Sequence, residues 1–581
     1  YTNSTVSFDT EYESDAEIGT SVVVDVDNLV LATGASGVNK VFIYIRNQVA
    51  EDFYLRNEIE LDIANPLGGD KFGQSLASTK TGNRLFAGSP ETNDIVRLTL
   101  DTTDVQLTRA VTITGGTSGA TGKILEVDHN DNVYWVKVTS VANFENEPVS
   151  VGDSSSVVSI TDVLGTDNTK TGAVHWINQD VNTSFSIKQS IVAPDVNAGG
   201  EFGASVAVSG DGTYLAVGAP GGPNDSSAEG RGTVYIYKYA KDGSSTRYDI
   251  HQTLVPTNSQ LGARFGTDVK FAEDGSALIV TSAQYDNDST TTDNGRATVY
   301  RFKNDAYYEH ETLVPQTFDA IEFGTSVAID SDGSDVVIGA PLYTDTVSTQ
   351  GGVFHYSLKT STLQGDGSTT AFESGFAINM SDAVGVFVDD ENIAFTNDGS
   401  STPYYILDGS STGITFSTAP ASGSQITISQ YQLVETLVSR APSVNQGFGN
   451  TVSIDDNTLI VQSKQGDSKR LTTFDLISTD GSTALPETTF DNNATKFNDI
   501  SYDSGQVSVF VKLNTEFQFV QNLTSLVALK SGANFGSSIA ISNLSVYVGA
   551  KNNDTTFNNL FEGLQSFSNS GQLLTFNKPT T

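Results

Sequence analysis

Short strand-like runs recur along almost the whole chain, and sustained helical periodicity is hard to find. Val234-Tyr235-Ile236-Tyr237 is one of many. Aligned with itself, the chain reduces these runs to a single pattern. Phe-Gly-x-Ser-Val-Ala comes first, then a polar turn, Leu-x-Val-Gly-Ala-Pro, a variable loop and Gly-x-Val-Tyr-x-Tyr. The clearest copy runs from Phe202-Gly203 through Asp211-Gly212 and Val217-Gly218-Ala219-Pro220 to Gly232-Thr233-Val234-Tyr235. Others begin at Phe72-Gly73, Phe265-Gly266, Phe323-Gly324, Phe448-Gly449 and Phe535-Gly536, and Ile18-Gly19 opens the first. A further aliphatic run follows each third element, as in Gln189-Ser190-Ile191-Val192, Gln252-Thr253-Leu254-Val255 and Glu435-Thr436-Leu437-Val438. Self-similarity overrides the several-domain reading that a length of 581 residues would otherwise suggest.

Each element has a physical reason. A Phe brings a large apolar area to wedge between neighbouring sheets, and the Gly beside it permits a positive φ or close backbone approach. Asp-Gly at 211–212, 274–275 and 332–333 predicts a tight hairpin between the first two strands. Gly-Ala-Pro is expected to end the second strand, because Pro donates nothing to a ladder and small residues admit a corner. Four short antiparallel strands per repeat, seven times over, predict an all-β, seven-bladed β-propeller of four-stranded antiparallel blades. The last repeat ends on its third strand, Gly571–Phe576, and Thr5-Val6-Ser7-Phe8 stands where a fourth belongs. The N-terminal strand is therefore expected to complete the last blade and remove a sheet edge.

Spacing exposes insertions. Gly203 to Gly266 spans 63 residues and Gly266 to Gly324 spans 58, but Gly73 to Gly203 spans 130 and Gly324 to Gly449 spans 125. Two small β-domains are expected, at 101–168 between the second and third strands of one blade, and at 360–430 after a third strand. The propeller then occupies 1–100, 169–359 and 431–581. A milder expansion lies at 465–500.

Composition narrows the functions. With 31 Lys and Arg against 69 Asp and Glu, the net charge is −38, which repels phosphate backbones and anionic lipid surfaces. Nucleic-acid binding is not expected. No apolar run approaches the roughly 18 residues that span a bilayer. The absence of cysteine removes disulfides and thiolate chemistry together. The start at Tyr1 reads as a processed or internal terminus.

The repeat resembles the FG-GAP family, best known from the head of the integrin α subunit and from bacterial and viral surface proteins. The inserted stretches Thr117–Gly122 and Gly413–Pro420 resemble small β-modules of bacteriophage tail and fibre proteins, especially marine ones. Integrin-like blades often hold calcium in a first hairpin of the form Asp-x-Asp-x-Asp-Gly-x-x-Asp. This chain departs from that form. Asp330-Ser331-Asp332-Gly333-Ser334-Asp335 comes nearest, but Ala328 and Val336 occupy the first and closing ligand positions, too few for calcium's six to eight oxygens. No cofactor is expected.

A search for chemistry returns little. The histidines are 129, 175, 251, 310 and 355, without zinc spacing, and His251 and His310 hold equivalent fourth-strand positions. Gly409-Ser410-Ser411-Thr412-Gly413 matches a hydrolase nucleophile motif, yet a strand-like run follows where the elbow needs a helix. Trp176 reads as packing between blades, whereas Trp135, Tyr134 and the Tyr285–Asp288 loop are candidates for stacking on a sugar. The expected function is non-enzymatic. It is that of a structural or attachment protein of a virion, a tail, fibre or surface component of a marine bacteriophage, working in a larger assembly with other virion or surface proteins or a host glycan or protein receptor. A bacterial cell-surface or secreted adhesin is the alternative, and a propeller glycosidase or lyase a third reading, because 69 acids offer many carboxylate pairs.

Overall fold

The computed structural model describes residues 2–577 outside 6–14, 62–69, 102–106, 152–156, 165–169, 223–229, 288–292, 316–320, 379–383, 396–403, 408–411, 470–499, 524–532 and 568–572, and outside breaks of three residues or fewer. Every regular element among the described residues is a β-strand. Seven antiparallel sheets follow the repeat. The first comprises Ile18–Val24, Val30–Ala35, Lys40–Ile45 and Tyr54–Glu60, and the second Ser75–Ser78, Arg84–Ser89, Ala173–Gln179 and Phe185–Ile191. The third holds Ser205–Val208, Tyr214–Ala219, Thr233–Asp242 and Ser245–Leu254, and the fourth Val269–Phe271, Ala277–Ser282, Arg296–Lys303 and Ala306–Leu313. Ser326–Ile329, Asp335–Ala340, Gly352–Gln364 and Gln425–Leu437 begin the fifth, and Phe448–Asp455, Thr458–Ser463, Gln506–Leu513 and Glu516–Leu523 form the sixth. In the seventh, Phe535–Ile541, Ser545–Ala550 and Leu573–Asn577 are joined by Thr2–Thr5, which pairs antiparallel with Leu574–Asn577. Of the residues expected to make that last pairing, Thr5 takes part, and Val6, Ser7 and Phe8 lie outside the described residues.

Burial follows from position in the sheet. Second strands such as Tyr214–Ala219 and Asp335–Ala340 are buried along their whole length, because a sheet covers each face. After their first residues, Tyr214 and Asp335, they read accordingly as small apolar runs. Outer strands such as Glu516–Leu523 alternate between buried and exposed.

The motif residues join one sheet to the next. Phe72, Phe202, Phe265, Phe323, Phe448 and Phe535 are wholly buried. Phe202 packs among Val174 and Trp176 of the second sheet and Tyr235 and Tyr237 of the third. Gly203 and Gly266 sit at φ +91° and +92°, where a side chain is strained. Gly218 is needed for closeness rather than for a corner: a Cβ there would lie 2.3 Å from the Gly266 carbonyl oxygen. The motif serine closes the joint, as Ser205 Oγ donates to Gly266 O at 2.8 Å and Ser326 Oγ to Gly449 O at 2.9 Å. Ser538 Oγ of the seventh sheet donates to Gly19 O of the first at 2.8 Å. First strands thus touch in cyclic order from the first sheet to the seventh and back. Val24, Ser78, Val208, Phe271, Ile329, Ile454 and Ile541, one from the first strand of each sheet, line a common cavity of about 370 Å³.

A second set of joints recurs on the outer strands. A β-bulge interrupts the third-to-fourth pairing of six sheets, at Arg56, Lys188, His251, His310, Val434 and Val520. In the first five of these the next residue reaches the following sheet. Gln189 accepts from Tyr248 N at 2.8 Å and donates to Tyr248 O at 3.0 Å, and Gln252 clasps Tyr307 in the same way at 2.9 and 2.8 Å. Asn57 accepts from Phe185 N, Glu311 from Tyr431 N and Glu435 from Phe517 N. Each tyrosine then donates its hydroxyl to the Asp-Gly hairpin of its own sheet, at Gly212, Gly275 and Gly333.

The long spacings hold two extra bodies. Ile95–Leu100, Thr112–Gly115, Thr121–Asp128, Val133–Val138, Pro148–Val151 and Val157–Leu164 close a six-stranded barrel around Leu98, Ile113, Tyr134, Val136 and Phe144. It starts at Ile95, ahead of 101, because Ile95–Leu100 pairs with Val133–Val138 and Val157–Leu164. In the fifth sheet the third and fourth strands each run to 13 residues, and Gly385–Val388 and Glu391–Asn392 extend that sheet. A four-stranded sheet of Ala371–Glu373, Gly413–Phe416, Tyr404–Leu407 and Ala394–Phe395 lies beside them over a core of Val386, Tyr405, Ile414 and Ile428. At the milder expansion, Ser468–Lys469 pairs with Ile500–Ser501.

Candidate functional site

The barrel meets the second and third sheets through its strand Val133–Val138. Alternation sends Tyr134 and Val136 into the barrel core and Trp135 and Lys137 outward. Tyr134 is therefore barrel packing, not a surface contact. Lys137 is buried. Its Nζ donates to Asn93 O at 2.6 Å and lies 3.8 Å from Asp70, so burial lowers its pKa while Asp70 and Asp94 oppose the shift. Glu126 joins the two bodies by accepting from Gln189 Nε2 at 2.8 Å, and it pairs with Arg109. On this side a cleft of about 700 Å³ opens between the bodies. Trp135, packed against Ile95, Ala173 and Val192, forms one wall. Arg247, whose Nε donates to both carboxylate oxygens of Asp249 at 2.7 and 2.8 Å, stands on the third sheet beside Ile250. A smaller cleft of about 460 Å³ lies towards the first sheet, with Lys123, Lys137, Lys188, Glu58 and Asp70 on its walls.

The other candidate residues serve the framework. Trp176 is buried and meets Tyr248 edge-on at 5.1 Å. His175 lies between Ser89 and Ser190, at 3.0 Å from each hydroxyl, and burial with Lys137 nearby pushes it down to about 3. The repeat-equivalent pair diverges. His251 is partly exposed beside the Asp305 carbonyl, whereas His310 is buried against Phe387 of the second insertion and pushed down to about 3 by burial and Arg301. Both are the bulge residue of their strand, but only His310 has an inserted module packed over it. His129 lies outside the described residues, as do Gly409, Ser410 and Ser411. Thr412 donates to Glu373, and the strand Gly413–Phe416 follows it. The face of Tyr285 is covered by the Arg296 guanidinium at 3.6 Å, and Asp288 is outside the described residues.

The Asp330–Asp335 hairpin spends its carboxylates internally. Asp330 accepts from Ser334 Oγ at 2.7 Å and from Asp335 N at 3.0 Å, and Asp332 from Ser334 N at 2.9 Å. Asp335 turns into the joint between the fifth and sixth sheets, where it pairs with Lys512 and lies 2.8 Å from His355 Nε2. His355 Nδ1 is 3.3 Å from Glu435. Burial alone would lower His355, but the two carboxylates outweigh it and hold the imidazole above its ordinary value. Burial would likewise raise Asp335, and His355 and Lys512 hold it below. Sequence reasoning passed over this quartet because its members are far apart along the chain and carry no motif.

Comparison with known proteins supplies the next observation. The family model described as FG-GAP repeat matches residues 185–237, from the outer strand of the second sheet to the third strand of the third. The chain carries an FG-GAP repeat. No curated protein matches its sequence significantly. Among solved structures, a putative 6-phosphogluconolactonase from Bacteroides uniformis aligns over 83% of this chain and 92% of its own, at 8% identity and a TM-score of 0.32. Hydrazine synthase of Kuenenia stuttgartiensis aligns over 60% and 79%, at 13% identity and a TM-score of 0.26. A functionally unknown protein from Desulfotomaculum acetoxidans aligns over 61% and 84%, at 9% and 0.26. Likenesses this weak carry no activity to this chain.

Proposed function

We propose that the seven sheets are the blades of a closed seven-bladed propeller, and that the chain is a non-enzymatic attachment or structural component of a virion surface, such as a phage tail or fibre. The propeller is the rigid frame, and the two inserted β-modules, the barrel and the region about 360–430, present the binding surface. One observation carries this reading. The cleft under the barrel is roomy and mixed in character, while the conspicuous polar clusters elsewhere are engaged in joints between sheets. The side chains at the cleft are suited to holding a ligand rather than transforming it: Glu126 and Asp249 are each tied to an arginine.

Purified particles of the source and labelled chain offered to intact host cells test the reading. The protein should be found in the particles, and the labelled chain should bind cells and lose binding when residues 95–164 are replaced by a short linker. Presence on cells but not in particles would favour a cellular adhesin. Turnover of any member of a polysaccharide panel would overturn the non-enzymatic reading.

A further inference from the structure

We infer that the cleft between the barrel and the second and third sheets binds a neutral oligosaccharide. The inference rests on the attachment reading above and gives it a ligand class. A cleft of about 700 Å³ lies within the range of about 300–1,000 Å³ for small-ligand sites, and its position between two packed bodies is a common one.

The walls supply both halves of sugar chemistry. Trp135 is directed out of its barrel and backed on one side by Ile95, Ala173 and Val192, so it offers a fixed apolar plate to the C–H face of a pyranose. Ile250, 47% exposed, continues the apolar surface. Hydroxyl groups need donors and acceptors held in place. The Arg247–Asp249 and Arg109–Glu126 pairs provide them, since each carboxylate keeps lone pairs and each guanidinium keeps N–H groups beyond the ion pair. Holding these side chains in advance removes part of the ordering cost of binding.

Charge selects among sugars. Two arginines face Glu126, Asp128 and Asp249 in the cleft, and the chain as a whole carries −38. A uronate, sialoside or phosphorylated glycan would meet net repulsion, whereas a neutral one would not.

The chain's two tryptophans allow a direct test, because Trp176 is buried between sheets and Trp135 lines the cleft. Tryptophan emission is followed while the whole protein is titrated with cellohexaose, laminarihexaose, mannohexaose and chitohexaose, with hexaguluronate as the acidic probe. At least one neutral hexasaccharide should shift the emission, Trp135→Phe should abolish the shift, and hexaguluronate should give none. Arg247→Gln, a change of a partly exposed side chain that leaves the barrel untouched, should weaken the same titration about ten-fold, the size of one lost good contact. Silence towards all four neutral sugars, a shift that survives Trp135→Phe, or a preference for hexaguluronate would overturn the inference. Cell attachment unchanged by Trp135→Ala would sink the cleft and spare the attachment reading. Sugar binding without any attachment would do the reverse.

Discussion

Single side chains set the pH behaviour of the joint between the fifth and sixth sheets. His355 is held above its ordinary value, so its protonated form stabilises the fold fully below about pH 6.5 and the contribution fades as pH rises through the folded pKa. Asp335 is held below its ordinary value, and its contribution is present above about pH 3.9 and lost as pH falls through the folded pKa. The joint should be strongest between those limits. Urea midpoints measured from pH 5 to 8 should fall with pH in the wild type and flatten in His355→Gln; parallel curves would refute the linkage. The glycines give a second expectation. Gly218→Ala sets a Cβ against the Gly266 carbonyl and the Ser205 hydroxyl, and should cost about 1–3 kcal/mol in thermal unfolding. The sequence repeat makes Gly218 visible as a required residue, but not the reason. Closeness to another sheet is a property of two distant segments, and composition at one site suggests only a corner. His355 stands where other repeats carry Ile43, Trp176, Ile236 or Val299, so nothing local marks it as half of a charge network.

Among elements, the strands were the most legible. Hairpins at Asp-Gly, fully buried second strands and alternating outer strands all follow from a sheet covered on both faces and tapering to solvent. The bulge-and-clasp joint was not legible, because the clasping residue changes from Asn57 to Gln189 and Gln252 to Glu311 and Glu435, and each works through the backbone of the next sheet. Gln252→Ala removes two hydrogen bonds to Tyr307 and should cost about 1–3 kcal/mol, whereas Gln252→Glu keeps the acceptor, as Glu311 does, and should cost less. Equal losses for the two variants, read from chemical denaturation, would show that the accepted bond from Tyr307 N contributes nothing, and no loss in either would show that the clasp itself contributes nothing. The inserted barrel was legible as extra length but not as a barrel. Its closure depends on Ile95–Leu100, a stretch that reads equally well as part of the second sheet. The outward place of Trp135 at the cleft was legible in part, since only the barrel's geometry separates it from Tyr134.

At the scale of the molecule, the seven sheets touch one another in cyclic order through their first strands. Strands buried on both faces and joined by repeated hydrogen bonds leave little freedom to the frame. The inserted modules are extra bodies with cores of their own, and the cleft under the barrel is where such a body leaves room. Replacing residues 95–164 by a short linker should leave the remaining sheets cooperative, with a single unfolding transition in calorimetry.

Closure of the ring is the central claim, and a chain without cysteine permits a clean measurement of it. Thr2 and Asn577 are cross-strand partners in the seventh sheet, a spacing that suits a disulfide. Thr2→Cys with Asn577→Cys should oxidise within one molecule to a circular chain that runs differently from its reduced form on a denaturing gel. Free thiols or intermolecular dimers under the same oxidation would contradict the closed ring.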